Sequence, residues 1–142
     1  MDEAYAKYSF LLDRTARRVK QYAQVNFKKL GFNITIDQWL IIRSLYEHND
    51  LNQKEIAQLV NKDTPTLTRI IDLLSTKGLA VRKPDERDRR CFIVHLTEEG
   101  RKTVEIMLPH VKDIRMKAWE GLDQEDFTKF QHILNTIYNN LE

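Results

Sequence analysis

The sequence has 142 residues, of which 42% are hydrophobic and 31% are charged, and its formal net charge is +2 at pH 7. This composition is that of a globular domain, and the longest apolar runs are too short to cross a bilayer, so we expect no membrane partner. The small net charge does not by itself indicate a nucleic-acid partner, but the basic side chains are concentrated in two blocks, residues 1–31 and 61–102.

The first two predicted elements are amphipathic helices. Apolar residues recur at helical spacing from Ala4 to Leu30, between basic residues, and Gly31 is positioned to end this helix. A second helix is predicted from about Thr35 to His48, and a polar turn follows it.

Two shorter helices are predicted next. Asn52 precedes Glu55 by three residues, which is the spacing of a capping box, and this marks the start of a third helix. A fourth helix is predicted to start with Thr64 as its cap and Pro65 at the first helical position, where the missing amide costs nothing. Gly78 ends it. The result is two short helices separated by a tight polar turn.

A hairpin and two further helices complete the predicted order. Residues 79–83 and 91–96 are rich in β-forming residues and flank a charged segment, so they predict a hairpin with a charged tip. Thr97 then caps a helix that Pro109 should bend or divide. The last helix starts at a capping box whose cap is Asp123, and it continues to the C-terminus.

This order of elements is that of a winged helix-turn-helix, in which the second helix of the pair enters the major groove of DNA. The predicted fold class is therefore mainly α with a small β-hairpin wing. The hydroxyl groups of Thr64, Thr66 and Thr68 can contact phosphates or base edges, and Arg69 can make a bidentate contact with guanine. The alternative is that these residues form the solvated face of a core helix.

The hairpin tip concentrates basic side chains. An arginine at the end of a rigid two-stranded arm suits the narrow, electronegative minor groove of DNA. Asp88 would be repelled by phosphate, so we expect it to hold an arginine in position through a bidentate pair. The alternative is an exposed charged loop whose ion pairs contribute little. The basic residues of the tip and its base are Arg82, Lys83, Arg87, Arg89 and Arg90.

A series of short motifs runs through this part of the chain. In order, they are Ile34-Thr35-Ile36-Asp37-Gln38-Trp39, Glu55-Ile56-Ala57, Thr66-Leu67-Thr68-Arg69, Lys77-Gly78-Leu79, Asp88-Arg89-Arg90 and Leu96-Thr97-Glu98-Glu99-Gly100-Arg101. In their order and spacing, over Ile36 to Arg101, they resemble the MarR family of bacterial regulators. The resemblance implies a sequence-specific regulator of transcription, more often a repressor, that binds double-stranded DNA.

Residue by residue, the resemblance assigns the DNA contacts. In the recognition helix, which starts at Thr64, the residues at the groove are Pro65, Thr66, Thr68 and Arg69. In the wing, Arg90 is the minor-groove arginine supported by Asp88, and Arg87 and Arg89 contact phosphates.

The resemblance also implies a homodimer, built as one domain over residues 1–142. Residues 32–100 would form the DNA-binding lobe, and residues 1–31 and 101–142 the helical dimerisation region. The apolar stripes at both ends favour this independently, because a partner subunit is a natural place to bury them. Ordinary packing within one chain is the alternative. The predicted dimerisation residues are Tyr8, Leu11, Leu12, Val19, Phe130, Ile133, Ile137 and Leu141.

Members of the family often respond to small aromatic or phenolic molecules held between the dimerisation helices and the DNA-binding lobe. Tyr22, Phe27, Trp39 and Tyr46 are the predicted candidates for lining such a pocket. Aromatic residues at helical spacing can equally be core residues.

The chain has a single cysteine, Cys91, and four scattered histidines. Cys91 is either a small packing residue or a thiol made reactive by Arg89 and Arg90. The first helix lacks the cysteine with which some relatives sense peroxide. The histidines lack ligand spacing, so no metal and no cofactor is expected. A lone cysteine and an acidic start after Met1 favour a reducing, cytoplasmic setting.

Two other classes of function are alternatives to DNA binding. The sequence has no glycine-rich phosphate loop and no nucleophile motif, so we expect no enzyme activity. The alternative that the chain is a winged-helix module that binds protein instead of DNA remains. It is favoured if the wing arginines are paired within the fold.

Overall fold

The computed structural model describes residues 2–142, which are mainly helical with a small antiparallel sheet. The helices are α1 (Asp2–Lys29), α2 (Ile36–His48), α3 (Gln53–Val60), α4 (Thr64–Thr76), α5 (Glu98–Ala118) and α6 (Gln124–Asn140). The strands are β1 (Leu51–Asn52), β2 (Ala80–Pro84) and β3 (Phe92–Leu96). The predicted fold class is confirmed. Within these residues, no helix is both long and apolar enough to span a membrane.

The capping boxes predicted at the starts of α3 and α6 are present. The side chain of Asn52 accepts from the backbone N–H of Glu55 at 2.8 Å, and the Glu55 carboxylate accepts from the N–H of Asn52 at 3.0 Å. Asp123 and Asp126 make the same reciprocal pair at the start of α6. Each box satisfies amides that the first helical turn leaves without partners, so these helix starts are fixed locally.

The cap of α4 differs from the predicted one. Asp63, rather than Thr64, is the cap, and its carboxylate accepts from the backbone N–H of Thr66 at 2.8 Å. Pro65 therefore follows Thr64 inside the first turn, where an amide has no helical partner and its absence is still tolerated.

Of the two outcomes predicted for Pro109, a bend or a division of the helix, division does not occur, because α5 is continuous from Glu98 to Ala118. A proline inside a helix removes one backbone hydrogen bond. Tertiary packing offsets this loss, since α5 carries buried residues on both sides of the proline. These residues are Val104, Met107, Val111 and Ile114.

The predicted hairpin is the core of the sheet. β2 and β3 pair in antiparallel register from Ala80 opposite Leu96 to Pro84 opposite Phe92. β1 was not predicted, because two residues are too few to show an alternating pattern. It pairs with the other edge of β3, with Leu51 opposite Val94, and gives the strand order β1-β3-β2.

The hydrophobic core lies between the sheet and helices α1 to α5, with α3 contributing Ile56. Trp39 of α2 and Phe27 of α1 are almost completely buried, and their rings meet edge to face with centroids 6.4 Å apart. α6 contributes no buried residue to this core. The C-terminal half of α1 therefore packs into the same core as α2, α5 and the sheet, whereas α6 lies outside this core.

The start of α5 approaches the α4–β2 turn very closely. The backbone N–H of Thr97 donates to the carbonyl of Leu79 at 3.1 Å, and the Thr97 hydroxyl donates to the carbonyl of Gly78 at 2.7 Å. A Cβ atom on Gly100 would collide with the Leu79 carbonyl oxygen. Glycine is therefore required at position 100 by the packing of one backbone against another.

We predict that Gly100→Ala lowers the free energy of unfolding by about 3 kcal/mol, because neither backbone can yield without breaking the Thr97 contacts. The control is Gly78→Ala, where a Cβ meets open space but φ is +77°. That variant should lose only about 1–2 kcal/mol, the cost of a left-handed conformation. Denaturant unfolding at one protein concentration measures both values, and equal losses would contradict the steric explanation.

Candidate nucleic-acid interface

The helix-turn-helix is formed by α3 and α4 and a tight turn between them. Asn61 ends α3 with a φ of 50°, in the left-handed region that asparagine tolerates, and the N–H of Lys62 donates to the carbonyl of Ala57 at 3.2 Å. Asp63 then starts α4. The turn thus leaves few unpaired backbone groups and fixes the angle between the two helices.

The threonine hydroxyls at the start of α4 already donate their protons within the fold. The Thr66 hydroxyl donates to the Asp63 carboxylate at 3.0 Å, and the Thr68 hydroxyl donates to the carbonyl of Thr64 at 2.9 Å. A hydroxyl has one proton and two lone pairs, so Thr66 retains acceptor capacity only. In this arrangement the hydroxyl suits amino groups on base edges better than phosphates, which only accept.

Asp63 keeps its negative charge to a lower pH than an ordinary aspartate. Hydrogen bonds from the backbone N–H and the hydroxyl of Thr66 lower the pKa of its carboxyl group, and the positive charge of Arg69 acts weakly in the same direction. Arg69 itself is exposed, and its guanidinium makes no hydrogen bond or ion pair with any other residue of 2–142. Arg69 is therefore the free cation of α4.

Arg82 lies at the base of the wing and is held inside the fold. Its guanidinium forms an ion pair with Asp72 at 2.6 Å and donates to the carbonyl of Thr68 at 3.3 Å. A longer contact of 3.4 Å joins it to Gln53 of α3, which also donates to the Thr68 hydroxyl. With 27% of its side chain exposed, Arg82 fixes the wing against α3 and α4 and is not available to DNA.

Sequence reasoning grouped Arg82 with the tip arginines and missed this role. The signal that could have shown it is the alternation of side chains between the two faces of a strand. Ala80, two residues earlier, lies on the same face as Arg82, and Arg82 pairs in register with Val94. Both Ala80 and Val94 are fully buried. An arginine on that face points toward the fold and needs a partner there.

The wing tip is built around a buried aspartate. Asp85 has only 5% of its surface exposed, its N–H donates to the Cys91 carbonyl at 3.0 Å, and its carboxylate accepts from the N–H of Arg87 at 2.9 Å. That backbone hydrogen bond lowers the pKa of the Asp85 carboxyl group. The Arg87 side chain also pairs with Asp85 at 3.3 Å and lies 3.9 Å from Glu55 of α3. Arg87 therefore stabilises the loop through Asp85, although its side chain is exposed.

Asp88 does not form the bidentate pair with an arginine side chain that we expected. Its carboxylate accepts from the backbone N–H of Arg90 at 3.0 Å. Asp88 thus orients Arg90 through the main chain, and the guanidinium stays free. Within residues 2–142, the side chains of Arg89, Arg90 and Lys83 are exposed and make no hydrogen bond or ion pair.

The four aromatic residues predicted to line an effector pocket do not share a cavity. Phe27 and Trp39 lie in the core. Tyr22 lines a cavity of about 230 Å³ between α1 and α5, and Tyr46 packs under the guanidinium of Arg101, 5.3 Å from its ring centroid. Phe27 and Trp39 are therefore core residues, which was the alternative to a role in lining a pocket.

The predicted dimerisation residues are largely exposed in the single chain. On α6, Ile133 has 53% of its surface exposed, and Phe130, Ile137 and Leu141 are exposed as well. On α1, Tyr8 and Leu12 are exposed and Leu11 and Val19 are half-buried. Packing within one chain thus leaves these apolar stripes largely uncovered.

The Cys91 thiol lies beside a carboxylate. Its sulfur is 3.7 Å from the carboxylate of Asp88, and the negative charge of Asp88 is the main reason that the pKa of the thiol is raised. Arg90 lowers this pKa, but by less than the opposing effects. The arrangement thus opposes formation of a thiolate, the reactive form of cysteine.

Known proteins resemble this chain in sequence and in fold. The model of the MarR family matches residues 34–92. The chain is 36% identical over 92 residues to the organic hydroperoxide resistance transcriptional regulator of Bacillus subtilis, an alignment that covers 64% of this chain and 60% of that protein. It is 24% identical over 144 residues to the transcriptional repressor MprA of Escherichia coli, covering 99% and 82% of the two chains. The structure of MepR of S. aureus in complex with DNA superposes with a TM-score of 0.83 at 26% identity, covering 94% and 97% of the chains.

We predict that iodoacetamide alkylates Cys91 with a pH midpoint above that of an ordinary thiol, because the raised pKa leaves less thiolate at any given pH. Asp88→Asn removes the main cause, so it should lower the midpoint and speed alkylation at pH 8. Glu86→Gln removes a carboxylate from the same loop and serves as the control. A parent midpoint below that of a free cysteine peptide would contradict the assignment.

Proposed function

This chain belongs to the MarR family, and on that basis we propose that it regulates transcription as a homodimer that binds double-stranded DNA through α4 and the wing. Its proposed role is that of a repressor and not an activator, because the relative MprA of E. coli is a transcriptional repressor. The operator is a pseudo-palindrome whose half-sites lie about one helical turn apart, because two-fold symmetry places two recognition helices on one face of the duplex.

The observation that carries this proposal is that the wing arginines differ in their contacts. Arg82 is bonded to α4 and sets the position of the hairpin, while Arg89 and Arg90 at the tip have no partner among residues 2–142. A wing held rigidly at its base with free guanidinium groups at its end is suited to a narrow minor groove. Pairing of the wing arginines within the fold would have favoured the protein-binding alternative, and Arg82 and Arg87 are paired, whereas Arg89 and Arg90 are not.

The start of α4 supplies the contacts for the major groove. Arg69 is free to meet guanine or phosphate, whereas Thr66 and Thr68 present acceptor lone pairs and methyl groups beside Thr64 and Pro65. Because the hydroxyl protons are already bonded within the helix, little side-chain freedom is lost when DNA binds. Arg87 completes the set as a phosphate contact at the edge of the wing.

The second subunit covers the apolar faces of α1 and α6. α6 is a 17-residue helix without a buried residue, which is unusual for a helix with this many apolar side chains unless a partner chain packs against it. The homodimer follows from that face and from family membership, with residues 32–100 as the reading lobe.

A small aromatic or phenolic effector releases the protein from DNA, and the protein acts in the cytoplasm, where its operator lies. Regulation of organic hydroperoxide resistance, the role in the name of the B. subtilis relative, is not part of this proposal. The single cysteine of this chain is Cys91, and the raised pKa of its thiol disfavours the thiolate that peroxide oxidises.

We predict that Arg90→Ala weakens binding to the selected operator by about 1–3 kcal/mol, because the variant loses the groove contact of the wing. Asp88→Ala should also weaken binding through the lost orientation of the Arg90 backbone. The operator is first obtained by selecting duplexes from a random pool with the parent protein, and affinities are then compared at one fixed salt concentration.

The matched control for these variants is Arg43→Ala, which removes an exposed arginine of α2 that pairs with Glu47. It should bind like the parent. If Arg90→Ala and Asp88→Ala also bind like the parent, the wing assignment is wrong. If no duplex is enriched even at low salt, the winged-helix module that binds protein becomes the better interpretation.

We predict that the parent sediments as a dimer at micromolar concentration and that Ile133→Asp produces a folded monomer, since a carboxylate on the apolar face of α6 would be buried without a partner. Asn135→Asp places the same carboxylate on the opposite side of the helix and should remain dimeric. Sedimentation equilibrium measures the mass and circular dichroism the helix content. A monomeric parent would contradict the dimer.

A further inference from the structure

The exposed side of α4 extends past the residues already assigned to DNA. Pro65, Arg69 and Leu73 are spaced four residues apart, so their side chains lie along one side of the helix, and all three are exposed. Leu73 therefore continues the side of Arg69 by one further turn, toward the C-terminal end of the helix. The core lies on the other side of α4, where the buried residues are Leu67, Ile70, Ile71 and Leu74.

Leu73 is a large apolar side chain with 52% of its surface exposed. A single exposed leucine needs no partner by itself. This one, however, shares a side of the helix with Arg69, whose guanidinium has no partner among residues 2–142. Because a helix rises about 1.5 Å per residue, the two positions are about 6 Å apart along the axis, which is less than two base-pair steps of about 3.4 Å. A duplex whose base edges Arg69 reaches therefore also lies beside Leu73.

The polar groups around Leu73 are bonded within the fold. The Asp72 carboxylate pairs with the guanidinium of Arg82 at 2.6 Å, which offsets the repulsion that this carboxylate would exert on phosphates. The Thr76 hydroxyl donates to the carbonyl of Asp72 at 3.0 Å, and the Lys77 ammonium donates to two carbonyl groups near the start of α2. The last turns of α4 therefore offer DNA an apolar group in place of a phosphate-binding cation.

The major groove presents one apolar group that such a side chain can contact. Thymine carries a C5-methyl group there, whereas cytosine lacks it and the purines present hydrogen-bonding groups. Contact with leucine buries the methyl group favourably, but it leaves the polar edge of a purine without a hydrogen-bond partner. A leucine in the groove therefore favours thymine both by attraction and by excluding the purines.

We propose that Leu73 is a specificity-determining residue, which packs against the C5-methyl group of one thymine in each half-site of the operator. That thymine lies within about two base pairs of the position contacted by Arg69. This contact rests on the proposed function, because it requires α4 to lie in the major groove. It adds a base preference that comes from apolar packing and not from a hydrogen bond.

Deoxyuridine isolates the contact, because it removes the methyl group of thymine and keeps its base pairing. The operator is selected from a random pool with the parent protein, and each thymine is then replaced in turn, at one fixed salt concentration. For the parent, we expect a loss of affinity of about fourfold per half-site at the contacted thymine, the effect of exposing one methyl group. With Leu73→Ala, the same replacement should have no effect, because the side chain that covered the methyl group is absent.

Two further variants serve as controls. Leu73→Met keeps a long apolar side chain, so it should retain most of the loss caused by deoxyuridine. Leu59→Ala removes a leucine of α3 with 53% of its surface exposed, and it should show the full loss. Leu73→Ala should fold like the parent, because the position is exposed and alanine is the strongest helix former. Circular dichroism of all three variants checks the helix content.

Two results would overturn the contact. One is a parent protein for which deoxyuridine weakens binding at no thymine of the operator. The other is a loss at that thymine that is the same in the parent and in Leu73→Ala. Either result leaves the proposed function in place, because an operator has been selected. If no duplex is enriched even at low salt, the proposed function fails, and the thymine contact fails with it.

Discussion

The contact between Arg82 and α4 is the constraint on which the proposed DNA-binding surface, formed by α4 and the wing, depends. A hairpin of two five-residue strands has little apolar area with which to fix its own direction. The guanidinium of Arg82 reaches Asp72, the carbonyl of Thr68 and Gln53 at once, so that β2, α3 and α4 meet at one group. These bonds are partly shielded from water and act together, so they restrict the wing more than an exposed ion pair would. Losing this one side chain would separate the two halves of the surface.

The charged residues of this surface therefore fall into two groups, those bonded within the fold and those without a partner in it. The charges that set geometry, Arg82, Asp85 and Asp63, are bonded within the fold, and the pKa values of both aspartates are lowered accordingly. Arg89 and Arg90 are left without partners among the described residues. In the proposed complex, the wing is therefore ordered before DNA binds, and binding has to order only the ends of the arginine side chains. The modest net charge of the whole chain hides this local excess.

The sequence predicted the parts of the fold that local chemistry decides. The capping boxes at Asn52 and Asp123 fixed two helix starts, and the β-forming residues around the charged tip fixed the hairpin. Non-local packing decided the rest. Pro109 stayed within a continuous helix because residues on both sides of it are buried. The roles of the wing charges depended on which group lay opposite, and a linear sequence does not show that Asp88 meets the backbone of Arg90 instead of its guanidinium.

The same non-local packing connects the dimerisation region to the reading surface. Phe27 of α1 packs against Trp39 in the core, so the helix proposed to take part in dimerisation is also part of the core beneath the proposed DNA-binding surface. Charges reinforce this connection, because Asp37 at the start of α2 meets Lys20 of α1 at 3.2 Å and Lys62 of the helix-turn-helix at 3.3 Å. Each of these ion pairs is weak alone. Because a packed core does not deform continuously, a shift of α1 relative to its partner subunit must move α2 with it. In the proposed dimer, the distance between the two copies of α4 therefore depends on how α1 packs against α2.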